Sequence, residues 1–249
     1  MGFSIAFERK RSRKRFASSD LRVRRRGPYG SKDRTRDSGR VPQEMDIILS
    51  PEEVDLQECG ILILGFFEDE RPLRGSTGWI DWRLNGTLSH FLIEGRLTGE
   101  WEETLLLATQ GRIVPRLLLL IGLGRVRDYS YLRLRELSPH LFKTLRDLKP
   151  LEICLSLPHG EIYNVDCGKL AEILLEGIAD CLDARTDDVE AWVRGLRVFF
   201  AEGEERFSET VLGVQTAKTM LEGRVDMKIL VPTERPLPSA GTGRTAPGA

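Results

Sequence analysis

One stretch of the sequence, residues 61–107, constrains the fold more than any other. It opens with a continuous apolar run at 61–67, whose length and aliphatic composition are typical of a strand buried on both faces. A charged loop with three turn-forming residues follows, then a helical pattern, and then a second apolar run at 104–108. A strand, a crossover with a helix and a return strand indicate an α/β fold. In such folds ligands bind outside the carboxyl ends of the strands, so the loop 68–78 is the first candidate site.

The rest of the pattern extends the same alternation. Strands are predicted at 46–49, 104–108, 116–121, 151–157, 196–201 and 227–231, and helices at 131–148, 165–182 and 205–221. A further helix is predicted after Gly78, with a break near Asn85 and Gly86; its apolar residues are Trp79, Trp82, Leu84, Leu88 and Leu92. The turn at 110–112 predicts an antiparallel pair between the strands on either side of it. Pro139 predicts a kink or break near Ser138. The pattern therefore predicts one α/β domain, residues 44–232, with helices on both faces of a mixed sheet.

Charge separates the ends of the chain from this domain. Residues 1–40 carry 14 Lys and Arg against 4 Asp and Glu, a net charge of +10, so the remaining residues carry −11 of the total of −1. Residues 1–43 lack apolar periodicity and 233–249 are rich in Pro, Gly, Ser and Thr, so both are predicted to be disordered tails. The basic tail could bind nucleic acid electrostatically, but few aromatic residues accompany its charges. An inert tail, or a start assigned too early with Met45 as the true start, remain open and are preferred to nucleic-acid binding.

Four segments carry a resemblance to a known family. They are EDERPLRG at 68–75, DWRLNG at 81–86, EGRLTGE at 94–100 and LLLLIGLG at 117–124. Together they resemble the N-terminal domain of leucyl aminopeptidases, peptidase family M17, over residues 45–232. The resemblance implies a macro-domain-like three-layer α/β/α sandwich around a mixed sheet. It also implies association, because this domain of the family contributes to subunit contacts in a hexamer.

The sequence offers no residue for a catalytic role. The M17 catalytic domain carries a two-metal site with the hallmark Asn-Thr-Asp-Ala-Glu-Gly-Arg, and this motif is absent from the sequence. The three histidines are isolated, and no His-Glu-x-x-His or Gly-x-Ser-x-Gly motif occurs. Asp187, Asp188 and Glu190 cluster, but at a predicted helix start, where acidic groups are favoured by the helix dipole. We therefore expect no catalytic residue, no metal and no cofactor.

Two turns form the candidate ligand site. Each follows a predicted strand and places glycine beside arginine; the candidate residues are Arg74, Gly75, Gly78, Gly122, Gly124 and Arg125. If the two strands are parallel, both turns open on one edge of the sheet, and their N–H groups could converge on an anion. The resemblance to macro domains implies a nucleotide or ADP-ribose-type ligand. Simple tight turns are the preferred alternative, and the acidic residues at 68–70 argue against bound phosphate.

These observations favour a stand-alone, non-catalytic domain. We expect it to act in protein association, with itself or a partner, or in regulating a cytosolic aminopeptidase-like system; a macro-like module for a phosphate ligand is the alternative. The charged residues of both signs at 69–83 are predicted to form an ion-pair network that holds the crossover to the helix. The alternative is a polar surface that recognises a partner or ligand. Cys59, Cys154, Cys167 and Cys181 form no Cys-x-x-Cys pair, which is typical of buried reduced thiols in a cytoplasmic protein. No apolar run is long enough to span a membrane.

Overall fold

The computed structural model of the chain describes residues 5–8, 44–183 and 187–231. Its strands are β1 (Ile5–Glu8), β2 (Met45–Ser50), β3 (Ile61–Phe66), β4 (Thr104–Ala108), β5 (Leu117–Gly122), β6 (Glu152–Ser156), β7 (Arg197–Ala201) and β8 (Met227–Leu230). Its helices are α1 (Gly75–Arg83), α2 (Thr87–Ile93), α3 (Tyr131–Leu148), α4 (Cys167–Asp183), α5 (Asp187–Arg194) and α6 (Glu204–Met220). Short 3₁₀ turns follow β5 and β6.

The strands form one mixed sheet in the order β1-β4-β5-β3-β6-β7-β2-β8. The six strands from β5 to β8 in that row are mutually parallel, whereas β4 is antiparallel to β5 and to β1. The predicted antiparallel pair is therefore confirmed as β4 and β5, joined by a turn in which Gln110 and Gly111 have positive φ. Because β3, β6, β7 and β2 are parallel neighbours, the loops that follow them meet at one edge of the sheet.

Helices cover both faces of the sheet, as the sequence predicts. Along β3, Ile61 and Ile63 face the core under α3, α4, α5 and α6, whereas Leu62 and Leu64 face the core under α1 and α2. Alternate residues of a strand point to opposite faces, so this run of apolar residues serves two cores at once. The continuous apolar composition of β3 follows from its position in the middle of the row, with both faces covered.

Two local predictions change in the structure, and two are confirmed. The first helix begins at Gly75 rather than after Gly78, whereas the predicted break near Asn85 and Gly86 is confirmed, because α1 ends at Arg83 and α2 begins at Thr87. Helix α3 continues without a break through Pro139, where Ser138 donates its hydroxyl to the carbonyl oxygen of Leu134. Helix α5, for which only an acidic start was predicted, does begin at Asp187.

The predicted tails lie outside the described residues except for one short segment. Residues 5–8 form β1, which pairs with β4 in the register Glu8 to Thr104, where the sequence predicts disorder. Its Ile-Ala-Phe run has the composition of an edge strand. The run is too short to produce an apolar periodicity among the surrounding charged residues, so the sequence did not predict it. Among the described helices, none combines the length and the apolar character needed to cross a bilayer.

Candidate functional site

A cleft of about 270 Å³ opens at the carboxyl edge of the sheet. Its walls come from the loops after β2, β3, β6 and β7, four neighbouring parallel strands. This is the position at which open α/β sheets bind ligands. The lining residues with polar or charged side chains are Glu52, Glu53, Arg74, Ser76, Thr77, Ser156, His159, Tyr163 and Glu202. The cleft therefore combines these polar groups with apolar surface from Val54, Leu157 and Ala201.

The wall formed by residues 74–77, here called the open loop, is held to the sheet by hydroxyl groups. Thr77 donates its hydroxyl to the carbonyl oxygen of Gly65 at 2.7 Å, and the hydroxyl oxygens of Ser156 and Ser76 lie 2.8 Å apart. Arg74 is the N-cap residue of α1, and its side chain makes no capping bond. Among the described residues, its exposed guanidinium forms no hydrogen bond or ion pair. The open loop therefore presents a positive charge and the first turn of a helix to the cleft.

The opposite part of the cleft contains a chain of three side chains. Arg206 Nη1 lies 3.1 Å from His159 Nδ1, and His159 Nε2 lies 3.0 Å from Glu202 Oε2. A guanidinium can only donate, so His159 Nδ1 must accept, and Nε2 then carries the proton that is donated to Glu202. The side chains of His159 and Glu202 are only 16% and 10% exposed. This arrangement orients the Glu202 carboxylate and fixes one neutral tautomer of His159.

Tyr163 borders the cleft on the side of the open loop. Its hydroxyl donates to Glu70 at 2.8 Å, and its ring stacks on Phe67. Burial raises the pKa of Tyr163, the bond to Glu70 adds to that rise, and Arg74 opposes it. Tyr163 therefore stays a neutral hydrogen-bond donor, and its acceptor is already a protein carboxylate.

Residues 122–125, here called the closed turn, follow the neighbouring strand β5 but differ in their bonding. The N–H of Gly122 donates to Glu103, that of Leu123 to Phe66 and that of Gly124 to Gly99, all at carbonyl oxygens. The N–H of Val126, two residues after Gly124, donates to the carboxylate of Asp69. Arg125 faces Glu68, with 3.6 Å between Nε and Oε1. The N–H groups of Gly122, Leu123, Gly124 and Val126 and the guanidinium of Arg125 therefore have partners within the protein itself.

The six predicted ligand residues are thus divided among three places. The two strands are parallel and adjacent, as the prediction required, and both turns lie at the same edge. Only Arg74 and Gly75 line the cleft, whereas Gly122, Gly124 and Arg125 form the closed turn. Gly78 lies inside α1, where its N–H bonds to the carbonyl of Arg74. Ligand binding by these residues stays a prediction.

Sequence reasoning missed the residues on the far side of the cleft. Ser156, His159 and Glu202 all lie at or just after the ends of predicted strands, which was the available signal. It could not be used without the strand order, because β6 and β7 are 40 residues apart along the chain and adjacent in the sheet.

The charged residues at 69–83 do not form the predicted ion-pair network with one another within the described part of the chain. Arg71 donates to the carbonyl oxygens of Phe67, Glu70 and Thr98. Asp81 is buried and accepts from the N–H groups of Leu88 and Ser89 and from the Ser89 hydroxyl, so it caps α2. These side chains hold the crossover in place, as expected, but they do so by hydrogen bonds to backbone groups rather than by ion pairs with one another.

The thiols fit a structural interpretation where they are described. Cys59, Cys154 and Cys167 are buried and free, whereas the side chain of Cys181 lies outside the described residues. Cys167 donates to Glu209 at 3.1 Å, and burial, supported by Glu209, raises the pKa of its thiol to about 11. Asp166, Cys167 and Glu209 bring ligand atoms within 4.8 Å of one another, but Asp166 also accepts from the N–H of Lys169, as an N-cap does. These bonds account for the cluster without a metal.

An exposed aromatic group lies on the outer side of α1. Trp79 and Trp82 stack with ring centroids 5.1 Å apart, and the guanidinium of Arg83 lies 4.9 Å from the centre of the Trp79 ring. Asp55, which is buried, accepts from the Trp79 indole and pairs with Arg83, both at 2.8 Å. Trp82 is 66% exposed, and Leu56, which follows Asp55 in the chain, is also exposed. We call Leu56, Trp79, Trp82 and Arg83 the tryptophan surface; the sequence pattern had placed both tryptophans among the apolar residues of the predicted helix.

Comparison with known sequences identifies a relationship for the middle of the chain. Residues 63–182 match the sequence model of the cytosol aminopeptidase family, N-terminal domain. A probable cytosol aminopeptidase of Cyanothece sp. is 27% identical over 118 residues, which cover 47% of this chain and 23% of that protein. A probable cytosol aminopeptidase of Geobacter sp. is 34% identical over 97 residues, covering 39% of this chain and 19% of that protein. The chain thus spans about a quarter or less of these relatives.

Comparison with solved structures identifies the fold. A macrodomain of Oceanobacillus iheyensis superposes with a TM-score of 0.52 at 13% identity, over 73% of this chain and 97% of that chain. A Trypanosoma brucei macrodomain in complex with ADP gives a TM-score of 0.51 at 13% identity, over 68% of this chain and 69% of that chain. The structure therefore has a macrodomain-like fold, and residues 63–182 resemble the N-terminal domain of the cytosol aminopeptidase family. Both sequence predictions are confirmed.

Proposed function

We propose that the chain is a non-catalytic association domain that pairs with a second copy of itself through the tryptophan surface. The observation that carries this proposal is the exposed stack of Trp79, Trp82 and Arg83. Trp and Arg are the residue types that dominate the binding energy of protein interfaces. The two cores of the domain are complete without these side chains. An exposed large apolar group of this kind therefore indicates a surface that contacts another protein.

The surroundings of the surface favour a second copy as the occupant. Exposed side chains of both signs accompany it, Glu58 close to Leu56 and Arg112 close to the end of α1, where it donates to the carbonyl oxygen of Leu84. A two-fold contact places the same patch on both partners, so a patch with both signs can complement itself. The resemblance to an aminopeptidase domain that takes part in subunit contacts supports the same proposal.

The experiment is sedimentation equilibrium of the full chain with two matched variants. We expect the natural chain to self-associate and Trp82→Ala to weaken association by roughly 30-fold or more, as for an interface hot spot of ~2 kcal/mol. Leu132→Ala is the control, because Leu132 is also 66% exposed but belongs to α3 on the other face of the sheet. A natural chain that is monomeric at all accessible concentrations, or a control that behaves like Trp82→Ala, contradicts the proposal.

A non-catalytic role also predicts no hydrolysis. The full chain should not cleave aminoacyl-amide substrates with or without manganese or zinc, because the family's metal-ligand motif is absent from the sequence. Metal-dependent turnover that persists after contaminating host peptidases are removed would show an enzyme instead.

Binding of a nucleotide or ADP-ribose-type ligand is the second candidate function. It is supported by the macrodomain-like fold, by the ADP in one macrodomain of that fold and by Arg74 and Gly75 in the cleft. The carboxylates of Glu52, Glu53 and Glu202 weigh against it, because they would repel a diphosphate. Calorimetric titration with ADP-ribose tests it, with Arg74→Gln expected to abolish any binding.

A further inference from the structure

The cleft has a charge pattern that suggests a ligand of a different class. Its positive charge comes from Arg74, in the loop after β3, and its carboxylates come from the loops after β2 and β7. In the sheet, β6 lies between β3 and both of those strands. The two signs therefore enter the cleft from separate walls. This segregation is independent of the tryptophan surface and of the association proposed above.

The wall of the open loop suits a carboxylate. The guanidinium of Arg74 is exposed and without a hydrogen bond or ion pair among the described residues. It can bind a carboxylate with two parallel N–H donors. The adjacent first turn of α1 lacks a side-chain cap, so its N–H groups add partial positive charge on the same wall.

The opposite wall suits an ammonium group. Glu202 is mostly buried but still lines the cleft. His159 holds the Glu202 carboxylate from one side. A carboxylate has two oxygens with several acceptor positions, so one bond from His159 leaves capacity for a second donor. Glu53 adds a further carboxylate at the exposed rim. Because Arg206 and the neutral tautomer of His159 orient Glu202, the acceptor is preformed.

Size and net charge restrict the ligand further. The volume of about 270 Å³ lies just below the range of about 300–1,000 Å³ that holds drug-sized ligands. The carboxylates of Glu53 and Glu202, facing the one guanidinium of Arg74, disfavour a ligand with several negative charges but accept one whose charges cancel. Val54, Leu157 and Ala201 give apolar contact for a small aliphatic group.

We propose that this cleft binds a small zwitterion, a free aliphatic amino acid or a dipeptide. Its carboxylate lies toward Arg74 and the first turn of α1, and its ammonium group lies toward Glu202 and Glu53. The aliphatic side chain contacts the apolar part of the cleft. The site is a binding site only, and it involves no chemical step.

The test is calorimetric titration of the full chain with L-valine, together with two analogues that each lack one charge. N-acetyl-L-valine lacks the ammonium group and L-valinamide lacks the carboxylate, so each should bind at least about tenfold more weakly, the effect of losing a hydrogen bond to a charged group. Arg74→Gln should weaken L-valine by a similar factor and leave L-valinamide unchanged. Glu53→Gln should do the reverse, weakening L-valine and leaving N-acetyl-L-valine unchanged.

Arg125→Gln is the matched control, because Arg125 belongs to the closed turn and not to the cleft. It should bind L-valine like the natural chain. No heat and no amide shifts at Gly75 and Gly203 with millimolar L-valine overturn the proposal. Binding of N-acetyl-L-valine as tight as that of L-valine, or tighter binding of ADP-ribose that is lost in Arg74→Gln, also overturns it and points to a site for anions.

Discussion

The open loop and the closed turn look alike in the sequence and differ in the folded protein. Both follow adjacent parallel strands, and both place glycine next to arginine at the same edge of the sheet. In the closed turn the N–H groups of Gly122, Leu123 and Gly124 all donate to carbonyl oxygens of the protein. In the open loop Arg74 faces a cleft instead. A strand-glycine-arginine pattern therefore indicates a turn, and the partners that the rest of the fold supplies decide whether the turn can bind a ligand.

The segment before β4 provides hydrogen-bond acceptors for the closed turn. Because β4 runs antiparallel to β5, residues 99–103 lie against the closed turn and offer the carbonyl oxygens of Gly99 and Glu103. The open loop lies next to β6, whose nearest contribution is the hydroxyl of Ser156. Backbone carbonyl oxygens therefore occupy the N–H groups of the closed turn, whereas the open loop meets the small side chain of Ser156 on β6. The following predictions test this difference, from the largest expected effect to the smallest.

Replacing a glycine should be far more damaging in the closed turn than in the open loop. A Cβ atom on Gly122 would lie 2.0 Å from the carbonyl oxygen of Glu100, so Gly122→Ala should cost about 3 kcal/mol of unfolding free energy. Gly75 has a φ of +55° but open space around its Cβ position, so Gly75→Ala should cost only about 1 kcal/mol. Urea unfolding of both variants measures the difference, and equal losses would remove the basis of the comparison.

Removing the carboxylate of Glu103, which holds the segment that contacts the closed turn, should have the next largest effect on the unfolding free energy. Glu103 Oε2 accepts from the N–H and hydroxyl of Thr98 and from the N–H of Gly99, at 2.7 to 2.9 Å. Glu103→Ala leaves these partly buried donors without their charged acceptor and should cost about 2 kcal/mol. Glu100→Ala, on an exposed side chain three residues away, should stay within about 0.5 kcal/mol of the natural chain in the same assay.

The hydroxyl contact of the open loop should matter less. Ser156→Ala removes the bond between Ser156 and Ser76 and should cost about 1 kcal/mol. Because it frees the first turn of α1 from β6, hydrogen exchange of the Gly75 and Ser76 amides should rise more than that of Leu123. A uniform increase in exchange across both regions would mean that the open loop is not an independent unit.

The smallest expected effect is a pH dependence at the thiol beside Arg206. Burial raises the pKa of Cys167 from 9.0 to about 11, so the folded state holds a proton that the unfolded state releases first. The resulting stability is fully present below pH 9 and is lost as the pH rises to about 11. Urea unfolding from pH 8 upward should show a steeper decline for the natural chain than for Cys167→Ala. Parallel curves would contradict this assignment.

The sequence predicted the strands and helices well where periodicity was strong. The apolar run of β3, the antiparallel pair of β4 and β5 and the break between α1 and α2 all follow from patterns within a few tens of residues. The cleft could not be predicted in the same way. Glu202 and His159 meet only because β6 and β7 are neighbours, and strand order is not encoded locally. The exposure of Trp82 could not be predicted either, because spacing shows which residues share a helix face but not which face is covered.

The position of β2 in the sheet has a consequence for how the protein acquires its structure. β2 lies between β7 and β8, which are about 150 and about 180 residues further along the chain. During synthesis, this early strand has no sheet partner until nearly the whole domain has been made, and such distant pairing closes slowly. Residues 63–182, which match the family, include none of these three strands. We expect that fragment not to fold alone, whereas a chain starting at Met45 should keep a cooperative melting transition.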